Sequence, residues 1–210
     1  MSWSKKLENQ GCTSSIESLI ERDSNRDRQV GKDVILRLLK GFNAPHFEEG
    51  FTDIKIVKTS HSDDIDLEFV VQVIGMQDVE QHNPHHNETV GTHTATALEV
   101  AIDSSFDYNI ITALIFHDFG KLYTQTFDEK DVAHYYSHEN ISSYLHLYYN
   151  TDSIDKRDLL YISLLIERHM LNLNQGRKAK SAQVNKFPSR SAISDLEKIQ
   201  YCDRKRKVYE

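Results

Sequence analysis

Four histidines and two aspartates of this chain fall on or beside the apolar faces of segments with helical spacing. His93 lies on a stripe with Val90, Ala97 and Ala101. His138 shares a face with Ile141, Leu145 and Tyr148, and His169 shares one with Leu159, Ile162 and Ile166. Asp203 follows Leu196 and Ile199 at the same spacing, and the pair His117-Asp118 closes the apolar run from Tyr108 to Phe116. One histidine on such a face is ordinarily a hydrogen-bonded core residue. Several of them on five segments are different, because each buried polar group without a partner costs on the order of several kcal/mol. A shared divalent cation removes that cost by pairing the carboxylates and accepting a lone pair from each imidazole. Mixed nitrogen and carboxylate ligation suits Mn²⁺, Fe²⁺, Co²⁺, Ni²⁺ or Zn²⁺ better than Mg²⁺ alone, which prefers oxygen.

The elements that must position these groups are mainly helices. Residues 15 to 42 read as helix, with a break expected in the charged stretch from Glu21 to Arg28, and Phe51 to Val57 alternates weakly as a short extended piece. Leu67, Val70, Val71 and Ile74 mark a short helix ending at Gly75, followed by a polar loop through Asn83, Pro84, His85 and His86. Val90 to Ala101 has the i, i+3, i+4, i+7 pattern of a helix with one buried stripe. Residues 123 to 136 suggest a hairpin around Asp128 to Asp131, and Ser137 is the expected cap of the next helix. Further helices are predicted over about 156 to 171 and about 190 to 206. The expected fold is an all-α helical bundle with a small β-hairpin excursion. Residues 1–63 form a mainly helical N-terminal extension, and 64–210 form the functional domain.

Composition sets outer bounds. A chain of 210 residues, 39% hydrophobic and 27% charged, buries an adequate core without cross-links. Eight glycines and three prolines favour long regular elements over a turn-rich β architecture. Cys12 and Cys202 form no disulfide framework and no CxxC motif. The polar start, and the lack of any apolar run near the ~18 residues of a membrane span, point to a cytoplasmic protein without membrane attachment. A formal net charge of −7 argues against indiscriminate nucleic-acid binding, which rests on phosphate neutralisation. Two basic clusters stand apart: Arg177, Lys178, Lys180, Lys186 and Arg190, and the closing Arg204-Lys205-Arg206-Lys207. The closing run reads as a solvated helix end or as a phosphate-attracting rim.

His93, the adjacent His117-Asp118 in the context ALIFHDFGK, and the distant Asp203 resemble the H…HD…D signature of the HD-domain phosphohydrolases. The resemblance covers roughly residues 64 to 206. Within that family, the stretch Ile74 to His86, the stretch Thr89 to Thr94, His117-Asp-Phe-Gly-Lys121 and His134-Tyr-Tyr-Ser-His-Glu139 are similar to the HD domain attached to bacterial tRNA nucleotidyltransferases. The chain shows neither the glycine-rich motif nor the paired aspartates of the nucleotidyltransferase head, so only the hydrolase domain is carried over. The context Tyr201-Cys-Asp-Arg-Lys205 approximates the family's usual Ala-Asp.

The resemblance implies an all-helical fold, one or two divalent ions and cleavage of phosphate esters. A one-metal site would use His93, His117, Asp118 and Asp203. A two-metal site, the favoured reading, adds His138 and His169, with Asp118 bridging. His134 is the competing candidate for His138 and is placed instead around the ligands, toward substrate. Asp118 would bridge the metals or orient the attacking water. Lys121 would reach a phosphate oxygen or, equally, sit exposed as a helix-end cation. His85 and His86 line the mouth or belong to a plain polar loop, and Arg177 would meet substrate. Glu88 and Glu139 are candidate proton-transfer groups.

The function expected is metal-dependent hydrolysis of phosphomonoester or phosphodiester bonds in a small nucleotide, 2′,3′-cyclic phosphates included. Two alternatives are a phosphohydrolase of RNA ends in tRNA repair, guided by the Arg177 to Arg190 stretch, and a nucleotide-sensing module without turnover. The oligomeric state is left open.

Overall fold

The computed structural model describes residues 8–58, 65–82, 88–171 and 190–205. The helices are α1 (Ile16–Ser24), α2 (Lys32–Lys40), α3 (Ile65–Asp78), α4 (Val90–Asp103), α5 (Tyr108–Phe116), α6 (Lys121–Thr124), α7 (His138–Asn150), α8 (Lys156–Arg168) and α9 (Arg190–Asp203). The chain is mainly helical, with a small antiparallel pair of strands, β3 (Thr126–Phe127) and β4 (Ala133–His134). His85, His86 and Arg177 lie outside the described residues. No helix among the described residues is long and apolar enough to cross a membrane.

The most apolar helix, α5, packs against α4, α7, α8 and α9. Ile110, Ala113 and Leu114 from α5 are fully buried with Ala97 and Ala101 of α4, Ile141 of α7, Ile162 and Leu165 of α8, and Leu196 and Ile199 of α9. Apolar area removed from water at roughly 25 cal/mol per Å² drives this packing. Side-chain caps set where several helices begin. Thr89 accepts from Thr92 N at 3.1 Å, Asp107 from Asn109 N and Ile110 N, and Asp155 from Arg157 N at 2.9 Å. These caps fix the start of α4, which carries His93, and of the two helices that deliver His117 and His169 at their far ends.

Some expectations hold and others change. The break anticipated between Glu21 and Arg28 is present and divides α1 from α2 after Ser24. There the Asp23 carboxylate accepts from Val30 N and Gly31 N, and these two bonds hold it below the usual carboxylate range. The extended piece near residue 51 is β2 (Asp53–Lys58), and it pairs in parallel with β1 (Glu8–Thr13), a strand without apolar alternation. Past β1, Ser14 N donates to Tyr144 Oη at 2.9 Å and that hydroxyl donates back to Ser14 O at 2.8 Å. Ile54 packs with Leu147, Leu159 and Leu160. Helix α3 continues through Gly75 to Asp78. Ser137 precedes α7 but sits in the left-handed region, at φ 62°, and its hydroxyl caps nothing.

Candidate metal centre

The six residues singled out by type and spacing converge. His93 is in the first turns of α4, His117 ends α5, Asp118 follows it, His138 opens α7, His169 ends α8 and Asp203 ends α9. Three of these positions are helix C-terminal ends, whose partial negative charge favours a cation. The turn from α5 into α6 presses against the start of α7. A Cβ on Gly120 would collide with the backbone carbonyl oxygen of His138, so glycine is what allows Asp118 and His138 to meet. Gly120 N donates to Ser142 Oγ at 2.8 Å and locks that contact.

Asp118 is the hub. Its Oδ2 lies 3.4 Å from His117 Nε2 and 3.8 Å from His93 Nε2, while Oδ1 lies 3.2 Å from His138 Nε2. His138 Nε2 and His169 Nε2 are 3.3 Å apart. Asp203 Oδ1 approaches His93 Nε2 at 2.8 Å and His117 Nε2 at 3.4 Å. Two groups of potential ligand atoms result, His93-His117-Asp118 and Asp118-His138-His169, each within 4.8 Å throughout and all buried. These groups could hold a divalent metal ion.

Hydrogen bonds behind the rings decide which nitrogen faces inward. His117 Nδ1 is 2.7 Å from Leu114 O, His138 Nδ1 2.8 Å from Tyr135 O and His169 Nδ1 2.7 Å from Ile166 O. A carbonyl only accepts, so each Nδ1 carries a proton and each Nε2 of a neutral ring presents a lone pair to the centre. His93 faces a carboxylate on both sides, Glu88 Oε1 at 3.1 Å from Nδ1 and Asp203 from Nε2. Lone pairs and carboxylate oxygens converging in a buried space repel one another unless a cation sits among them. His117 Nε2 is buried with no hydrogen-bond partner among the described residues, as suits a nitrogen that ligates a cation, while Asp118 Oδ2 meets Lys121 Nζ at 2.8 Å.

The electrostatics agree. Burial works to raise the Asp118 carboxyl, but His117, Lys121 and His138 outweigh it and hold the group well below the usual carboxylate range. Burial works to raise the Asp203 carboxyl too, but the His117 and His93 rings beside its Oδ1 lower it. His117 is raised, because Asp118 and Asp203 overcome the desolvation that would lower it. His169 is pushed down to about 3, first by burial and then by the neighbouring His138 and His117. The centre therefore keeps its carboxylates ionised and His169 neutral, the forms in which they ligate.

Comparison with protein-family models, curated proteins and solved structures finds no match for this chain. The functional reading consequently stands on the geometry of the site.

A cavity of about 310 Å³ opens over the centre, bounded by Asp118, Lys121, His138, His169 and Asp203 below and by the β3–β4 hairpin on one side. Lys121 is not the exposed helix-end cation that was one of its two readings. It is buried at 7% exposure, with Nζ 2.9 Å from Gln81 Oε1 as well as beside Asp118. His134 lines the cavity from β4, half-buried, bonded to Asp128 at 3.2 Å and stacked on Tyr136, whose ring centroid is 5.3 Å away. It does not join the ligand cluster. Glu88 stands behind His93, and Glu139 Oε2 is 3.6 Å from His138 Nδ1, so both acids lie on the outer side of ligand rings. Of the closing basic run, Arg204 donates to Gln200 Oε1 and Lys205 covers the Tyr201 ring, contacts within their own helix and its end. The cavity residues that sequence reasoning missed are Gln81, Ala133, Tyr135, Tyr136 and Met170. No periodicity marks them, because they lie outside the regular helices.

Proposed function

We propose that the chain is a metal-dependent phosphohydrolase of the HD-domain type, acting on phosphate esters of nucleotides. The observation that carries this reading is the pair of buried ligand groups sharing Asp118 beneath a cavity of about 310 Å³. That volume lies at the lower end of small-molecule sites, which suits a monomeric substrate.

His93, His117, Asp118 and Asp203 would hold one ion; His138 and His169 with Asp118 would hold a second. A divalent ion here supplies Lewis acidity toward water and phosphoryl oxygens. The remaining work belongs to the chain. Asp118 orients the donors around it, through His117 and Lys121 on one oxygen and His138 on the other. Lys121 brings its ammonium to the cavity wall, where an ester phosphate would lie near the ligands. Tyr135, Tyr136 and Met170 line the cavity where the organic part of the substrate would lie. Leu114, Tyr135 and Ile166 fix three of the rings through their carbonyls, so little reorganisation is needed at the moment of reaction.

The test is an assay with added Mn²⁺, Co²⁺ or Ni²⁺ against nucleoside 5′-mono- and triphosphates, 2′,3′-cyclic nucleotides and an aryl phosphodiester, run beside Asp118→Ala. Metal-dependent turnover that drops on the order of 10²–10³-fold or more in the variant supports the reading. Stoichiometric metal without turnover on any ester would contradict it.

A further inference from the structure

Gln81 carries a donor that has no partner among the described residues. Its side chain is 1% exposed, and Nε2 has no hydrogen-bond partner. The orientation of the amide is set by its other end. Oε1 lies 2.9 Å from Lys121 Nζ, an ammonium that can only donate, so the NH₂ group must face the other way. The residue lines the same cavity as Asp118, His138, His169 and Asp203. Its position is firmly held. Gln81 O accepts from Tyr135 Oη at 3.2 Å, His82 O from Ala133 N at 3.0 Å and Glu80 O from Gln125 Nε2 at 3.0 Å. Glu80 also bridges to Thr89 at the start of α4. Segment 80–82 and the hairpin therefore make one wall, and Gln81 is part of the lining of the cavity.

A buried donor without a partner is costly unless a ligand takes it. Lys121 adds to the same place. Two of its three ammonium donors meet Asp118 Oδ2 and Gln81 Oε1, and Nζ lies 5.4 Å from the centroid of the Tyr135 ring, so one N–H has no oxygen acceptor among the described residues. Two amide N–H groups and one ammonium N–H thus stand together beside the candidate ligands, and an acceptor-only group with several oxygens matches them.

We propose that Gln81 is a substrate-holding residue, whose Nε2 donates to a tetrahedral oxyanion, the phosphoryl group of the ester, while its Oε1 keeps Lys121 aimed at the same group. This inference rests on the phosphohydrolase reading and assigns a role that the metal ligands do not require. Holding by a neutral amide stabilises the anion without adding a further cation to a site that already gathers positive charge.

The test titrates inorganic phosphate into the Zn²⁺-loaded full chain by calorimetry, for wild type, Gln81→Met and Gln81→Glu. Methionine keeps the volume and removes both polar ends. Glutamate keeps an acceptor for Lys121 and turns the donor into an acceptor. Both variants are expected to retain the wild-type metal content and to bind phosphate roughly tenfold or more weakly, with KM for a hydrolysed ester rising in parallel. Phosphate affinity within twofold of wild type in both variants overturns the role of Gln81 while leaving the hydrolase reading intact. Loss of metal in the variants also overturns it, since Gln81 would then serve the metal centre. Absence of both phosphate binding and turnover in the wild type removes the hydrolase reading and this inference together. Should neither variant fold, the side-chain amide signal of Gln81 in ¹⁵N-labelled, Zn²⁺-loaded wild type carries the test. It is expected to shift on adding phosphate, and an unmoved signal overturns the proposal.

Discussion

His138 and His146 stand about two turns apart on α7, both buried, and they do opposite things. His138 directs Nε2 toward Asp118 and His169. His146 has Nδ1 2.9 Å from Ser163 Oγ and its ring edge-on to Phe116 at 5.1 Å. Burial alone pushes its pKa down to about 3, so it is neutral in the fold. Both rings sit among apolar side chains, and both would look alike on a helical wheel. What separates them is company. His138 meets ligand-type atoms from three other segments, at Asp118, His169 and the turn before α7, whereas His146 meets a hydroxyl and a phenyl ring. Burial of a histidine is therefore a weak sign of ligation, and convergence of several lone pairs on a carboxylate is a strong one.

The largest effect that sharpens this contrast is metal removal. An ion bound at about 100 to 1,000 times its Kd adds roughly 3–4 kcal/mol of stability. For a chain of this size that corresponds to a Tm higher by roughly 6–16 °C. Chelation followed by calorimetry is expected to remove the shift in wild type and in His146→Gln alike, while His138→Ala has a smaller shift to lose. Equal shifts in wild type and His138→Ala would erase the distinction between the two rings.

Acid comes next. The folded chain holds His146 neutral down to about pH 3, whereas the unfolded chain protonates it near 6.5. Below pH 6.5 the unfolded state binds the extra proton, so stability present above that pH is progressively lost as pH falls toward 3. The loss from this residue is about 1.4 kcal/mol per unit, or roughly 2 kcal/mol at pH 5. Urea melts at pH 7 and pH 5 should show that much less acid sensitivity in His146→Gln than in wild type. An identical slope in both would mean that His146 is not held neutral.

Glu88→Gln tests the outer layer of the metal centre. It keeps an acceptor beside His93 Nδ1 but removes the charge behind the ring. Metal affinity is expected to fall roughly 10- to 100-fold, with the apo Tm little changed. An unchanged affinity by competition with a chromophoric chelator would assign Glu88 to structure alone. At the small end, Arg204 is exposed at the end of α9 beside Gln200, and Arg204→Ala should cost less than about 0.5 kcal/mol. A large loss of activity in that variant would restore the phosphate-attracting reading of the closing basic run.

The same contrast explains what could be read in advance. His93, His138, His169 and Asp203 were legible because helical periodicity places each on a face whose other residues are apolar. The hairpin was legible from Asp128 to Asp131, whose turn is built by the Asp128 carboxylate accepting from Lys130 N and Val132 N. β1 was not, because Glu-Asn-Gln-Gly-Cys-Thr has no apolar alternation and its ladder partner lies some forty residues on, in β2. The continuation of α3 past Gly75 was also hidden. That residue sits in ordinary contact with Leu122, and tertiary packing outweighs its poor helix propensity. Gln81 was hidden as well: it looks like a solvated polar residue until the fold buries it against Lys121, whose two sequence readings that contact decides between.

The most direct measurement is elemental analysis of the purified full chain beside Asp118→Ala, with His146→Gln as the reference for a buried histidine outside the cluster. One or two divalent transition ions per chain are expected in wild type and in His146→Gln, with loss of most of that metal in Asp118→Ala, the residue shared by both ligand groups. A wild-type chain that takes up no metal after incubation with Mn²⁺, Co²⁺ or Zn²⁺, or an Asp118→Ala chain that retains the full complement, would contradict the account.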